Sequence, residues 1–425
     1  MFRVLAAALT GGVVRAVRRM AGKPPRIWHG PLPLHSIRYM VAADRAAGYP
    51  SRSCVVTEQQ VKYELVTRED FDVVIRSESV PWYDRHWLAL IDLLMRGDVW
   101  VAYFDGLIFN VVNRTRNELA FRLIRLAGIR IIVTAHGSDI VQRTRSRTRY
   151  DWVERMQQDY PTWDFDLQTP ISRQRIDHFC RHSDLVLPGD AVMARLLPRN
   201  DLLFKVFPID CDELRPRESP PRDRVKIVHA PNHRNVKGTP FLLDAIDKVQ
   251  ASGFSCELVM VERVPRSQAL ELFADADIIA DQFCMGAWAQ FALEGMALGK
   301  PVLAYLDQES LGDPVFNVPI VNATAENLAA VLAAMIGVPE LRTRIAAASR
   351  DSVERYHSVA ALGEVWSRLY RHVWAGESLD FSGTAHFSPE RTARSFTEDP
   401  LDEDFWPVPV RDLAPRIEAA IRRLS

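Results

Sequence analysis

From residue 25 to residue 375, short apolar runs alternate with longer stretches whose apolar positions recur at helical spacing. Arg26-Ile27-Trp28-His29 predicts a first strand, Gly30-Pro31-Leu32-Pro33 a turn, and residues 35–47 a helix. Further strands are expected at 53–57, 71–75, 99–104, 129–134, 185–187 and 201–208, with helices at 86–95, 117–127 and 173–181. The polar, proline-rich RPRESPPRDR at 215–224 reads as a linker. A second series then runs strand 226–229, helix 239–249, strand 257–261, helix 267–274, strand 277–280, helix 290–298 and strand 302–305. Residues 315–321 are expected to be extended, and helices follow at 325–336, 339–356, 359–375 and 410–423. Residues 150–169 and 376–400 lack a clear period and read as irregular. Such alternation predicts an α/β protein of doubly wound parallel sheets. The expected parts are an N-terminal segment 1–24, a first domain 25–214, a second domain 215–376 and a tail 377–425 whose terminal helix crosses back to the first domain.

The N-terminal segment has a different pattern. At 100° per residue Phe2, Leu5, Leu9, Val13, Val17 and Met20 share one side of a helix, with Arg3, Arg15, Arg18 and Arg19 broadly opposite. A basic amphipathic helix suits a membrane interface, so a membrane surface is an expected partner through residues 1–22. A helix packed on the protein itself fits the pattern equally, and Gly11-Gly12 weakens its middle. Nothing reaches the ~18 consecutive apolar residues of a membrane span. A net charge of −1 argues against nucleic acid as a partner. The five cysteines are odd in number and scattered without C-x-x-C spacing, as expected in a reduced cytoplasm.

Candidate chemistry gathers where strands end. In 277–306 a strand, a loop with Asp281, Gln282, Gly286 and Trp288, a helix and a second strand form a βαβ unit. Glu294 interrupts the apolar helix FALEGMAL, where an ionised carboxylate is costly without a partner. The loop from His229 to Thr239 places Arg234, Lys237 and Gly238 between a strand and a helix N-terminus, a combination suited to a diphosphate. His136, Gly137, Ser138 and Asp139 follow another buried strand, and the bland reading there is a helix-capping loop. Gly30 lets the backbone approach a ligand or a neighbouring loop. His178 and His182 are four apart, but with no third ligand nearby in sequence they read as a surface helix face, not a metal pair.

At these residues the chain resembles the retaining nucleotide-sugar glycosyltransferases of the GT-B fold, group 1 or family 4 type, most strongly from Lys226 to Tyr305. The resemblance implies two Rossmann-like domains facing a central cleft, an N-terminal acceptor domain and a C-terminal donor domain. It implies transfer of a hexose from a nucleotide-diphosphate sugar to a glycan or lipid-linked acceptor, with retention and with no metal or further cofactor. Arg234 and Lys237 match the family's R-x-x-K pair on the donor diphosphate, with Gly238 beside them. Glu294 matches the second glutamate of E-x7-E, on the ribose hydroxyls, while Gly286 stands where the first glutamate would be. Asp281, Gln282, Gly286, Trp288 and Ala289 resemble the DQ-type loop of members that share this departure. His136 would contact the donor sugar, Ser138 and Asp139 would lie on the acceptor side, and Gly30 would pass near the phosphates or the acceptor. The implied location is the cytoplasm, peripheral at the inner face of the membrane. A sugar-nucleotide epimerase of the same fold and a non-catalytic nucleotide- or glycan-binding protein are the alternative readings.

Overall fold

Strands buried on both faces need continuous apolar runs, and those runs become parallel strands in the computed structural model of the chain. It describes residues 2–57, 71–76, 82–109, 113–140, 149–161, 165–204, 207–217, 222–308, 313, 317–388, 392–394 and 396–424. Two units are present. Unit 1 comprises Met1–Arg145, Phe165–Pro208 and Val359–Phe387; unit 2 comprises Ser146–Asp164, Ile209–Ser358 and Ser388–Ser425.

Unit 1 begins with α1 (Phe2–Met20), β1 (Ile27–His29), α2 (Ser36–Ala46), β2 (Ser51–Thr57) and β3 (Val73–Arg76). It continues with α3 (Trp82–Arg96), β4 (Val99–Tyr103), α4 (Arg114–Leu126) and β5 (Arg130–Thr134). After an excursion into unit 2 that holds α5 (Trp152–Asp159), α6 (Phe165–His182), β6 (Leu185–Leu187) and α7 (Ala191–Ala194) complete the sheet. The strand order β3-β2-β1-β4-β5-β6 is that of dinucleotide-binding folds, with its reversal between β1 and β4. Trp28 of β1 and Trp100 of β4 are in register and meet edge to face at 6.3 Å. Both are fully buried, and each such ring removes ~150–250 Å² from water.

The irregular segment expected at 150–169 is instead α5 and the first turn of α6, with residues 162–164 outside the described part. No strand forms among the described residues of 201–208. Asp201 alone covers the β6 backbone there, donating its N–H to Val186 O at 2.9 Å and accepting from Val186 N at 2.7 Å. The expected crossing of the terminal helix falls on the helix before it. The helix Val359–Ala375 belongs to unit 1 and lies on α2, where Tyr370 donates to the buried Asp44 at 2.7 Å. The terminal helix Ala414–Arg422 belongs to unit 2, its Ile417 and Ala420 closing that unit's core.

The N-terminal helix is an integral part of unit 1. Its small-residue face (Val4, Ala7, Ala8, Gly11) is buried on α3 and α4. A Cβ at Gly11 would lie 2.0 Å from Leu94 O, so this glycine permits close approach and the helix runs through it unbroken. Arg15, expected on the polar side, is buried and donates to the Leu94 carbonyl at the end of α3. Arg18 reaches the buried Asp98 at 3.1 Å. The stripe of Phe2, Leu5, Leu9, Val13, Val17 and Met20 faces outward.

Unit 2 holds β7 (Val225–His229), α8 (Thr239–Ala251), β8 (Cys256–Met260), α9 (Arg266–Ala274), β9 (Ile278–Ala280), α10 (Gln290–Ala297), β10 (Val302–Ala304) and β11 (Val321–Asn322). The order β11-β10-β9-β7-β8 is the flavodoxin-like one, with its reversal between β7 and β9. Two further helices, Leu328–Gly337 and Pro339–His357, pack behind it. The loops with the strongest chemical signals, 229–239 and 281–289, follow the two strands that flank this switch point.

Candidate functional site

Adjacent parallel strands deliver their carboxyl ends to one edge, which is why residues far apart in sequence meet there. His229 ends β7, fully buried, with its ring nitrogens 2.8 Å from Ala280 O and 2.9 Å from Thr239 Oγ1. Burial pushes its pKa down to about 4, so it ties the two loops together as a neutral group. Phe283 N donates to Lys237 O at 3.0 Å, and Gly238 presses its bare Cα side against Phe283 and Cys284. The two loops are one structure.

Within it, each predicted donor-binding group has a protein partner. Arg234, largely exposed, forms a two-pronged pair with Glu262 at 2.8 and 2.6 Å. Lys237 Nζ lies 3.4 Å from Asp281, whose carboxylate is fully buried and also accepts from Ala289 N at 3.1 Å, at the start of α10. Gln282 accepts from Met285 N at 2.8 Å and thereby shapes the loop. Glu294 meets Arg266 at 3.3 Å, which answers how an acid persists in an apolar helix. The 235–236 amides also have an acid: Asp159 accepts from Asn235 N at 3.1 Å, Asn235 Nδ2 at 2.8 Å and Val236 N at 2.9 Å. Tyr160 next to it bonds His233. The amides of 237–239 are used inside the turn itself, by carbonyls of His233, Asn235 and Arg234. The amides of this loop that hold a carboxylate are those of Asn235 and Val236.

Two residues of the DQ-type loop are fixed by their packing. Trp288 is buried edge-on to His357 at 5.1 Å and acts as core rather than as a wall of an open site. Gly286 has a left-handed backbone (φ +77°), and a Cβ there would lie 3.1 Å from the Asp307 carboxylate. Asp307 N donates to Gly286 O at 2.9 Å. A carboxylate thus stands beside the position where the missing glutamate would be, supplied by the residues after β10.

In unit 1, His136 follows β5 and Asp105 follows β4. His136 Nε2 lies 3.1 Å from both Asp105 oxygens and 4.0 Å from Asp139. Burial opposes charging of the ring, but the Asp139 and Asp105 carboxylates outweigh it and push the pKa up to about 9. Asp139 accepts from the backbone N–H groups of His136 and Gly137, which precede it, so it closes its own loop and is also a charge partner. Burial holds its carboxyl above the usual range, whereas the imidazolium draws Asp105 below it. Ser138 opens the short 3-10 turn Ser138–Ile140, and its side chain lies outside the described residues. Gly30 is fixed by packing: a Cβ would lie 2.0 Å from Cys54 O, and its carbonyl accepts from Trp100 Nε1 at 2.9 Å. Asp105, Asp159, Glu262, Arg266 and Asp307 carry no motif, and of these Asp105, Glu262 and Asp307, each just beyond an apolar run, had a positional signal in the sequence.

No protein-family model matches this sequence, and no curated protein matches it. In structure the chain is similar to Anabaena HepE in complex with UDP-glucose, at 12% identity and TM-score 0.53 over 83% of this chain and 100% of that one. It is likewise similar to sucrose-phosphate synthase from Thermosynechococcus elongatus, at 12% identity and TM-score 0.57 over 84% and 100%. The fold is the α/β, two-sheet GT-B fold.

Proposed function

We propose that the chain is a glycosyltransferase that moves a hexose from a nucleoside-diphosphate sugar to a glycan or lipid-linked acceptor, with retention and without a metal or further cofactor. The observation that carries this reading is the joining of the loop with Arg234, Lys237 and the Asn235–Val236 amides to the Asp281–Ala289 loop at the β7/β9 switch point of unit 2, with Glu294 on the helix that follows. Arg234, Lys237 and the two amides stabilise charge building on the departing diphosphate, and Glu294 accepts from the ribose hydroxyls. Asp307 takes the sugar-facing place left by Gly286. His136, charged at neutral pH, contacts the donor sugar, while Ser138 and Asp139 serve the acceptor side. The structural relatives support a nucleotide-sugar ligand, HepE having been solved with UDP-glucose.

The test is diphosphate release and transfer with a panel of nucleotide sugars. Binding of no nucleoside diphosphate, together with unchanged behaviour of Arg234→Ala and Glu294→Ala, would end this reading. The Asp105–His136 pair supplies acid and base groups that an epimerase needs, so conversion of the nucleotide sugar without acceptor would shift the assignment to that class.

The exposed stripe on α1, flanked by Arg3, Arg19 and Lys23, supports a membrane surface as the place of the acceptor, peripheral at the cytoplasmic face. Because α1 is anchored through Arg15 and Arg18, deletion of the helix would damage unit 1; Leu9→Glu/Val13→Glu changes only the outward face. That double variant should no longer sediment with anionic liposomes. Equal sedimentation of variant and wild type would refute the membrane role.

A further inference from the structure

Helices α4 and α6 of unit 1 bring together three metal-ligating side chains that the transferase reading does not use. His178 and His182, one turn apart on α6, both face Glu118 of α4. Glu118 Oε2 lies 3.7 Å from His182 Nε2 and 4.0 Å from His178 Nδ1. His178 is 2% exposed. All four imidazole nitrogens are shielded from solvent and have no hydrogen-bond partner among the described residues. Buried polar groups are almost always satisfied, so two adjacent unsatisfied rings aimed at one carboxylate point to a ligand.

The supporting contacts prepare these groups for coordination. Arg122 holds Glu118 Oε1 at 3.3 Å, leaving Oε2 directed at the histidines. Both imidazoles stack on Phe121, tilted only 12° and 13° from its ring, which fixes their planes. Burial lowers both imidazole pKa values and favours the neutral, ligating form.

We propose that Glu118, His178 and His182 bind a zinc-class divalent transition metal that staples α4 to α6. Bonds of ~2.0–2.2 Å in a tetrahedral site set neighbouring ligand atoms roughly 3.3 Å apart. The carboxylate–imidazole separations need to contract by less than an ångström to reach that. A His₂Glu set leaves the fourth position for water. The surrounding Arg114, Arg122, Arg125 and Arg181 disfavour ions held by charge alone, so magnesium and calcium are poor candidates, while imidazole ligands select zinc, nickel or copper. No residue of this group belongs to the His136 cluster.

The experiment is a zinc chloride titration of the chelator-treated full chain against a chromophoric competitor, with thermal melts in parallel. We expect one tightly bound equivalent, a rise in Tm with zinc but not with magnesium or calcium, and a tetrahedral cobalt(II) absorption spectrum on substitution. His178→Gln/His182→Gln should lose that equivalent and its Tm rise, and Glu118→Gln should bind at least ~10-fold more weakly. His136→Asn should retain it. Stoichiometry equal in wild type and a folded double variant would overturn the site. If the double variant does not fold, the cobalt spectrum of the wild type decides instead: absence of a tetrahedral spectrum refutes the proposal, and its loss in Glu118→Gln supports it.

Discussion

The His136 cluster of unit 1 and the Arg234–Glu294 set of unit 2 both lie at the carboxyl ends of parallel strands, yet they hold charge in different ways. His136, Asp105 and Asp139 form a largely buried trio in which one imidazolium is wedged between two acids. Arg234 and Glu262 instead meet at the surface, with Arg234 57% exposed. Exposed ion pairs contribute little, because water and salt screen them and both side chains lose rotamer freedom. On the proposed reading, Glu262 gives way readily to a diphosphate. Lys237 is held differently, since its partner Asp281 is fully buried and also positions α10. The contrast separates an exposed pair that is free to exchange partners from groups whose charge state is built in.

Removing Lys237 is the severest way to test this. It lies against a buried carboxylate and has little freedom, so under the proposed function it acts as a preorganised donor toward the leaving diphosphate. Lys237→Ala should lower kcat by roughly 10²–10³ and leave Asp281 an uncompensated buried charge, with a lower Tm. A steady-state assay of diphosphate release, read beside a melt, distinguishes catalysis from folding. Full activity of the variant would mean that Lys237 serves only Asp281.

His136 offers the next effect through pH. Its folded pKa, about 9, lies above the usual 6.5. A raised pKa means the stabilisation is fully present below about pH 6.5 and is lost as pH rises through about 9. The difference is on the order of 3 kcal/mol. The melting midpoint of the wild type should fall between pH 7 and pH 10, and His136→Asn should flatten that fall. The same decline in the variant would assign it to other groups.

The sheets were legible because parallel strands buried on both faces must be apolar without interruption, and Ile131-Ile132-Val133 or Ile278-Ile279-Ala280 carry that mark on their own. Glu294 was legible as a conflict with its helix. Its partner Arg266 was not, because pairing across 28 residues depends on how α9 and α10 pack. His178 and His182 stand out in the sequence as a pair, but Glu118 lies on another helix, beyond any local window. How the N-terminal helix docks was not legible for a related reason. Its hydrophobic stripe dominates the pattern, whereas docking uses Ala7, Ala8 and Gly11, whose small size allows close approach rather than apolar mass. Asp159 is the clearest case: nothing in residues 150–169 signals that this carboxylate occupies the amides of a loop more than 70 residues later.

Asp159 also gives the smallest predicted effect and the sharpest test of exchangeable partners. Its carboxylate accepts the Asn235 and Val236 amides at 3.1 and 2.9 Å, as a phosphate oxygen would. If a diphosphate uses those amides, it must displace this acid or bind beside its negative charge. Asp159→Asn keeps the size and an acceptor oxygen while removing the charge, so it should tighten UDP about 3- to 10-fold with little change in Tm. Calorimetric titration of UDP into both proteins reads the difference, and raising the salt concentration should narrow it, because part of the effect is repulsion between screened charges. Weaker UDP binding by Asp159→Asn would mean that the acid holds the loop in its binding-competent shape, and that this half of the site is as fixed as the His136 cluster.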